Sequence, residues 1–276
     1  MTVHPSLQPA IDAWTHSIES INELVKLLAE SDWNRATECP GWSVRDVVSH
    51  VIGIECEMLG DPRPIHTLPR DLRHVTDEFS RYIEVQVDVR RCHTAPEMTS
   101  ELEYTIIRRS RQLRNDQRPP QTPVRWPLGT TTERTLERTL MLRAFDVWTH
   151  EQDLRRALGM PGNLDSPAAA LTRDFLLLAL PGVVAQGAGA RPGSTVVFDV
   201  HGPLEFLRTV RVGPQGKGSL ESTVSLGPAV TFGLDWETYA RLACGRVRPE
   251  AVADRIKVEG DQALAGAILR EFAVTP

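Results

Sequence analysis

The twelve residues Cys39-Pro40-Gly41-Trp42-Ser43-Val44-Arg45-Asp46-Val47-Val48-Ser49-His50 decide how the first half of this chain is interpreted. Pro40-Gly41 predicts a turn. Ser43, followed three residues later by Asp46, resembles a capping box and predicts a helix that begins after Ser43. Apolar residues then recur at helical spacing: Val44, Val47, Val48, Val51 and Ile54. The stretch therefore predicts an amphipathic helix with His50 about two turns from its start.

The sequence on both sides has the same helical period. Upstream, apolar residues lie three and four positions apart, as in a bundle helix: Ile11, Trp14, Ile18, Ile21, Val25 and Leu28. Downstream, after prolines at 62–69, further helices are predicted at about 70–90, 96–115 and 133–158. The last is predicted to end at Gly159, because cations followed by glycine are typical of a helix C-terminus. We expect a helical bundle over residues 1–183.

The second half changes period after Pro181. Polar and apolar residues alternate from Thr195 to Val200, and β-rich segments follow at about 206–212, 219–226, 229–234 and 256–259. Helices are predicted at about 236–245 and from Asp261. The glycine-rich stretch 184–193 is the predicted linker. The predicted fold class is α+β, with a helical bundle at 1–183 and a small α+β domain at 194–276.

Composition and charge exclude several classes of protein. Hydrophobic residues make up 41% of the 276 residues and charged residues 24%, which is ordinary globular usage and excludes disorder. A net charge of −5 argues against nucleic-acid binding. No apolar run is seen that approaches the ~18–20 residues of a membrane span, and MTVHPSLQPA does not resemble a secretory signal. The chain is therefore expected to have neither nucleic-acid nor membrane partners.

The cysteines and the basic residues bear on the cell compartment and the source. Four cysteines are scattered without a CxxC pair, which favours a reduced, cytoplasmic protein. Only three of the 31 basic residues are lysine, a bias typical of a GC-rich genome: Lys26, Lys217 and Lys257.

Three residues have the spacing of a metal site. Asp146 and His150 lie four apart on the predicted last bundle helix, so both project from one helix face. If His50 faces them across the bundle, the three provide a metal ion with three ligands and one open position, as in catalytic zinc sites. On spacing alone, however, a surface pair is the favoured interpretation of Asp146 and His150, and a hydrogen-bonded core or rim residue is the favoured interpretation of His50. Asp153 can orient the His150 ring or pair with Arg156.

Other catalytic motifs receive no support. The sequence contains no GxGxxG after a strand, no GxxxxGK[ST] loop and no GxSxG elbow. Cys39, just before a helix, has either a lowered thiol pKa or a structural role in its turn. The tryptophans Trp14, Trp42 and Trp148 are interpreted as core residues.

Three segments resemble the mycothiol-dependent maleylpyruvate isomerase family. Residues 39–50 look like its second-helix signature, and Arg143…Asp146-Val147-Trp148-Thr149-His150…Asp153-Leu154 is similar to its last bundle helix. Tyr239-Ala240-Arg241-Leu242-Ala243-Cys244-Gly245-Arg246, with Val258-Glu259-Gly260-Asp261, resembles its second domain. The resemblance implies a DinB-like four-helix bundle followed by a small sterol-carrier-like α+β domain.

The resemblance also implies a site and a cosubstrate. A divalent metal, expected to be zinc, would be held by His50, Asp146 and His150, with mycothiol binding as a thiolate. The arginine of the family's Gly-Arg pair corresponds to Arg246, which would hold an anionic group from a cleft between the domains. The alternative for Arg246 is a helix-terminal residue that satisfies carbonyl groups. Mycothiol is an actinobacterial thiol, and the arginine bias fits that source.

One departure from the family concerns the carboxylate. The isomerase has glutamate where this chain has Asp146, which is one methylene shorter, although both are normal zinc ligands. Because the family includes thiol S-transferases, its fold does not fix the substrate. We expect a metal-dependent, mycothiol-using transferase or isomerase that acts on a small electrophile. The alternatives are metal-dependent hydrolysis without thiol, binding of an apolar ligand by the second domain, and a metal kept only for stability.

Overall fold

The computed structural model describes residues 3–125, 133–223 and 226–275, and these residues form two compact units. The first unit extends to Gly162 and includes Ser166–Leu171, and the second comprises Asn163–Asp165 and the chain from Thr172 onward. The chain therefore passes between units within 162–172, earlier than the boundary between 183 and 194 expected from the sequence.

The first unit is helical. Its helices are α1 (Gln8–Lys26), α2 (Val44–Leu59), α3 (Glu78–Asp88), α4 (Ala95–Arg114) and α5 (Leu136–Leu158). Helix α1 lies against α4 and α5, and α2 lies against the same two helices, so the four close a ring around one core. Helix α3 packs on the outside of α2. The predicted bundle is confirmed.

Local capping explains where these helices begin and end. Ser43 and Asp46 form the predicted capping box at the start of α2, and the left-handed Gly159 ends α5 as predicted. Helix α3 is shorter than the predicted helix at 70–90, because Asp77 caps it. The predicted helix at 133–158 begins three residues late, since β1 (Pro123–Arg125) and β2 (Glu133–Thr135) form a short antiparallel hairpin. Part of the predicted loop at 119–127 lies outside the described residues.

The second unit contains a five-stranded sheet. Its strands are β3 (Thr195–His201), β4 (Phe206–Val212), β5 (Gly218–Glu221), β6 (Val230–Asp235) and β7 (Lys257–Gly260), in the order β5-β4-β3-β6-β7. Strands β3 and β6 are parallel, and the other neighbours are antiparallel. Two helices close the unit, α8 (Trp236–Ala243) and α9 (Gln262–Arg270). The predicted α+β class is confirmed.

The stretch before the sheet is folded where a linker was predicted. Helix α6 (Pro167–Leu177) is followed by a short helix α7 (Leu180–Gly182) and a helical turn over Val183–Gly187. Helix α7 lies against β4 and β5, and Val184 is fully buried. The linker prediction at 184–193 is wrong over its first residues, because their apolar side chains pack with the second unit.

Within the described chain, one segment is long and apolar enough to cross a membrane, judged by length and composition only. This segment, Pro167–Gly187, was missed by the sequence analysis. Half of its most apolar window is buried inside the protein.

Candidate metal centre

Helices α2 and α5 bring the three predicted metal-site residues together. His50 Nε2 lies 3.6 Å from Asp146 Oδ2, and His150 Nε2 lies 3.9 Å from Asp146 Oδ1. The two imidazole rings have centroids 4.8 Å apart. Because α2 and α5 are neighbours in the bundle, residues far apart in the sequence meet at one point.

The group is buried on one side and open on the other. The side chains of His50 and His150 are 5% and 7% exposed, whereas the carboxylate of Asp146 is 31% exposed. The accessible side of the group is therefore that of Asp146.

The charges of the group suit metal binding. Burial opposes ionisation of Asp146, but the charge of Arg143 and the two imidazoles hold the pKa of its carboxyl group well below the usual range. Burial lowers the pKa of His50 and outweighs the opposite effect of Asp146. An ionised carboxylate and a neutral imidazole are the states in which these side chains bind metal ions.

A second carboxylate orients the ring of His150. His150 Nδ1 and Asp153 Oδ2 are 3.1 Å apart, so Nδ1 is engaged and Nε2 faces Asp146. Asp153 also accepts a hydrogen bond of 2.9 Å from Arg156. Both roles that the sequence left open for Asp153 therefore occur together. Asp46, by contrast, caps α2 and receives Arg91.

The three residues fit a divalent metal ion. A tetrahedral ion held at about 2.0–2.2 Å by nitrogen and oxygen needs ligand atoms about 3.3–3.6 Å apart. The measured 3.6 and 3.9 Å are close to that requirement. Nδ1 of His50, the ring nitrogen that does not face Asp146, is buried without a hydrogen-bond partner among the described residues.

A second group of ligand-type residues shares His150. Cys39, His150 and Asp153 also bring three donor atoms within 4.8 Å of one another. Here the Cys39 thiol donates a hydrogen bond of 3.1 Å to the same oxygen of Asp153 that faces His150. Since Asp153 and Cys39 are hydrogen-bonded to each other, we interpret this group as one that holds the His150 ring in position and not as a second metal site.

A tight turn places Cys39 and Trp42 at the site. The N–H of Trp42 donates to the carbonyl of Cys39 at 3.0 Å, and Gly41 has φ 79°, as in a type II turn with proline second and glycine third. A Cβ at Gly41 would lie 2.3 Å from Nδ1 of His74, so the turn also needs glycine for space.

Trp42 forms an aromatic wall beside the candidate ligands. Its ring centroid lies 5.1 Å from that of His50 and 6.2 Å from that of His150. Its indole N–H donates to the buried carboxylate of Glu84 at 3.0 Å, which fixes the ring. The prediction that Trp42 is a core residue is wrong, because its side chain lies at the site and is only partly buried.

Behind Asp146 lies a buried chain of alternating charges. Arg143 donates to Asp146 Oδ2 at 2.7 Å and to Glu55 Oε1 at 2.8 Å. Glu55 is fully buried. It also accepts hydrogen bonds from Arg109 Nε at 3.0 Å and from the indole N–H of Trp14 at 2.9 Å. Burial opposes ionisation of Glu55, yet the two arginines keep its pKa below the usual value.

Arg246 lies in the second unit, just after α8. Its Nη1 donates to the carbonyl of Cys244 at 2.8 Å, and Gly245 is left-handed, with φ 66°. This matches the alternative that the sequence left open, in which the arginine satisfies a carbonyl group at the helix end. Its catalytic role stays a prediction.

The three residues that the sequence predicts as metal ligands lie together in the structure, whereas the residues behind them were not predicted. Arg143 stood in the quoted motif without a role, and nothing in the sequence links Glu55 or Cys39 to α5. One local signal was available, because Arg143 precedes Asp146 by three residues and such pairs meet on a helix surface.

Comparison with protein-family models gives two matches that follow the two units. Residues 14–155 match the model described as the mycothiol maleylpyruvate isomerase N-terminal domain, which covers more than half of the chain. Residues 170–267 match the model of the C-terminal domain of the same family. No curated protein matches the chain.

Comparison with solved structures agrees on the fold. The chain is similar to the crystal structure of the mycothiol-dependent maleylpyruvate isomerase, with 14% identity and a TM-score of 0.56 over 94% of this chain and 96% of that one. A histidine-to-alanine mutant of that isomerase matches equally well. A sterol carrier protein domain 2 of Helicoverpa armigera matches 41% of this chain and 93% of its own, with 18% identity and a TM-score of 0.31, and no conclusion rests on it.

Proposed function

This chain belongs to the mycothiol-dependent maleylpyruvate isomerase family, and from that premise we propose that it is a metal-dependent enzyme with mycothiol as its thiol cosubstrate. Its reaction would be an isomerisation or an S-transfer on a small electrophilic molecule. The observation that carries the proposal is the meeting of His50, Asp146 and His150 beside an open face.

The ligand roles follow from the chemistry of the three side chains. His50, Asp146 and His150 would hold a divalent cation, and zinc fits two nitrogens and one carboxylate oxygen. When bound, such a cation supplies Lewis acidity that lowers the pKa of a thiol placed on its open side.

The protein's own groups would prepare the site for a thiol. Asp153 keeps Nδ1 of His150 engaged, so that Nε2 stays available. Trp42 covers one side of both imidazoles and limits access of water there. The thiol sulfur would enter beside Asp146, the most exposed of the three, and attack an electrophilic carbon.

The second unit would contribute a residue to substrate binding. We propose that Arg246 orients an anionic group by paired hydrogen bonds, as guanidinium groups do with carboxylates. We also place the protein in the cytoplasm, since its four cysteines are free and a reducing compartment suits a thiol-dependent enzyme.

The direct test is turnover with and without the thiol. Zinc-loaded protein is incubated with mycothiol and a panel of small electrophiles that includes maleylpyruvate, and product is followed by mass spectrometry. We expect product only with mycothiol, and loss of product in the His50→Ala variant. His16→Ala is the matched control, because His16 is exposed on α1.

Two outcomes would overturn this proposal. Product formation that continues unchanged without mycothiol would favour hydrolysis by a metal-activated water. Thiol-dependent turnover that survives His50→Ala would place the reaction elsewhere in the protein.

A further inference from the structure

Glu55 is a buried carboxylate that, within the described part of the chain, has no hydrogen bond to a candidate metal ligand. It is 0% exposed and lies on α2, and the hydrogen bonds that it accepts come from Trp14, Arg109 and Arg143. Such a group is costly to bury unless it is fully paired, so two arginines hold it in place.

Arg143 connects this carboxylate to the metal site. Two guanidinium nitrogens, Nε and Nη2, donate to Glu55. The third, Nη1, donates to Asp146 Oδ2, the oxygen that lies 3.6 Å from His50 Nε2. A cation bound by these ligands would therefore stand near a fixed positive charge. Repulsion between them is screened only weakly in a buried setting.

The charges of Asp146 and of the three residues behind it sum to zero. Asp146 and Glu55 are negative, Arg143 and Arg109 are positive, and they alternate along one chain of hydrogen bonds. The positive charge of Arg143 is thus shared between two carboxylates rather than directed at the metal site alone.

We propose that Glu55 is a positioning residue that sets the affinity of the site for its cation, by compensating the charge of Arg143 and holding it against Asp146. The inference rests on the proposed metal site. Glu55 and Arg109 would then have opposite effects on that affinity. The carboxylate of Glu55 would raise it, and the more distant guanidinium of Arg109 would lower it.

Three variants of the full chain test the sign of these effects. Zinc affinity is measured by competition with a fluorescent chelator, and folding is checked by circular dichroism. Glu55→Gln should bind zinc about tenfold more weakly, the size typical of groups behind a ligand. Arg109→Gln should bind zinc severalfold more tightly, because a positive charge is removed. The double variant should return to within about threefold of the wild-type affinity.

A matched control separates charge from structure. Glu151 is also fully buried and paired with an arginine, Arg155, which donates hydrogen bonds to Glu151, to Ser20 and to the carbonyl of Met160. Glu151→Gln should bind zinc within about threefold of the wild type. If Glu55→Gln does not fold, Arg109→Gln and the double variant still carry the test.

The results distinguish this inference from the function on which it rests. Zinc affinity that falls in both single variants and falls furthest in the double variant would mean a structural role and would overturn the inference. Unchanged affinity in all three variants would also overturn it. A wild-type protein that binds no zinc would overturn the proposed function first, and this inference with it.

Discussion

At the scale of single residues, the candidate site depends on hydrogen bonds that fix which atoms face outward. His150 presents Nε2 to Asp146 because Asp153 occupies Nδ1, and Cys39 donates to the same oxygen of Asp153. The imidazole is thus held in one orientation before any ligand arrives. Partners of this kind are nearly as important for metal affinity as the ligands themselves.

Asp153→Asn should weaken zinc binding by about ten- to a hundredfold, because an amide no longer fixes the His150 tautomer as a carboxylate does. The measurement is a chelator competition on folded protein. Cys39→Ser, which keeps a hydrogen-bond donor toward Asp153, should stay within about threefold of the wild type. Equal losses in the two variants would contradict the role given to the carboxylate.

The residues of the site were predictable only as far as local spacing and family resemblance reach. Asp146 and His150 are one helical turn apart, which the sequence shows directly. That His50 meets them depends on the packing of α2 against α5, and spacing alone favoured a surface pair. Glu55 gave no signal at all, because a glutamate in a helix is usually a solvated residue.

At the scale of elements, the turn Cys39–Trp42 and the start of α2 form one unit of local structure. Gly41 allows the chain to reverse, and Ser43 then caps the helix that carries His50. The element thereby sets the position of Trp42 on one side of the site and of His50 on the other.

Gly41→Ala should destabilise the protein by more than Gly60→Ala. Both glycines are left-handed, with φ 79° and 83°, so both variants incur backbone strain of about 1–2 kcal/mol. Only at Gly41 would the added Cβ meet a neighbour, Nδ1 of His74 at 2.3 Å, whereas nothing lies within 4 Å at Gly60. Urea unfolding of both variants measures the difference.

Equal destabilisation of the two glycine variants would show that His74 moves aside at little cost. In that case the turn would be held by its own hydrogen bonds and not by packing against His74.

Element boundaries were predicted best where the sequence contains a residue type that is typical of a helix terminus. Ser43 marks the start of α2 because its side chain accepts a hydrogen bond from the backbone of the first turn. Gly159 marks the end of α5 because it adopts the left-handed conformation that terminates a helix. The hairpin of β1 and β2 was missed, since three-residue strands are too short to show a period of two.

At the scale of the whole molecule, the change from a helical to a strand period predicted two units of different class. The expected boundary lies later in the chain than the passage between the two units, because α6 and α7 are helical and apolar and so look like a continuation of the bundle. Which core buries a given apolar helix is decided by tertiary packing, and α7 packs on the sheet of the second unit.

Zinc should stabilise the whole protein against unfolding. A ligand that binds only the native state adds about 2.7 kcal/mol at a free concentration one hundred times its Kd. Thermal unfolding of zinc-loaded and EDTA-treated protein measures this, and His50→Ala should lose the gain while His16→Ala keeps it. Identical unfolding of the loaded and stripped wild type would contradict the metal site.

The central claim is that His50, Asp146 and His150 hold a metal ion at which mycothiol binds. The most direct measurement is a calorimetric titration of mycothiol into zinc-loaded and zinc-free protein, with zinc content determined on the same samples. We expect one zinc per chain and mycothiol binding that requires it, both lost in His50→Ala. Mycothiol binding of equal strength in zinc-free protein or in His50→Ala would contradict the account.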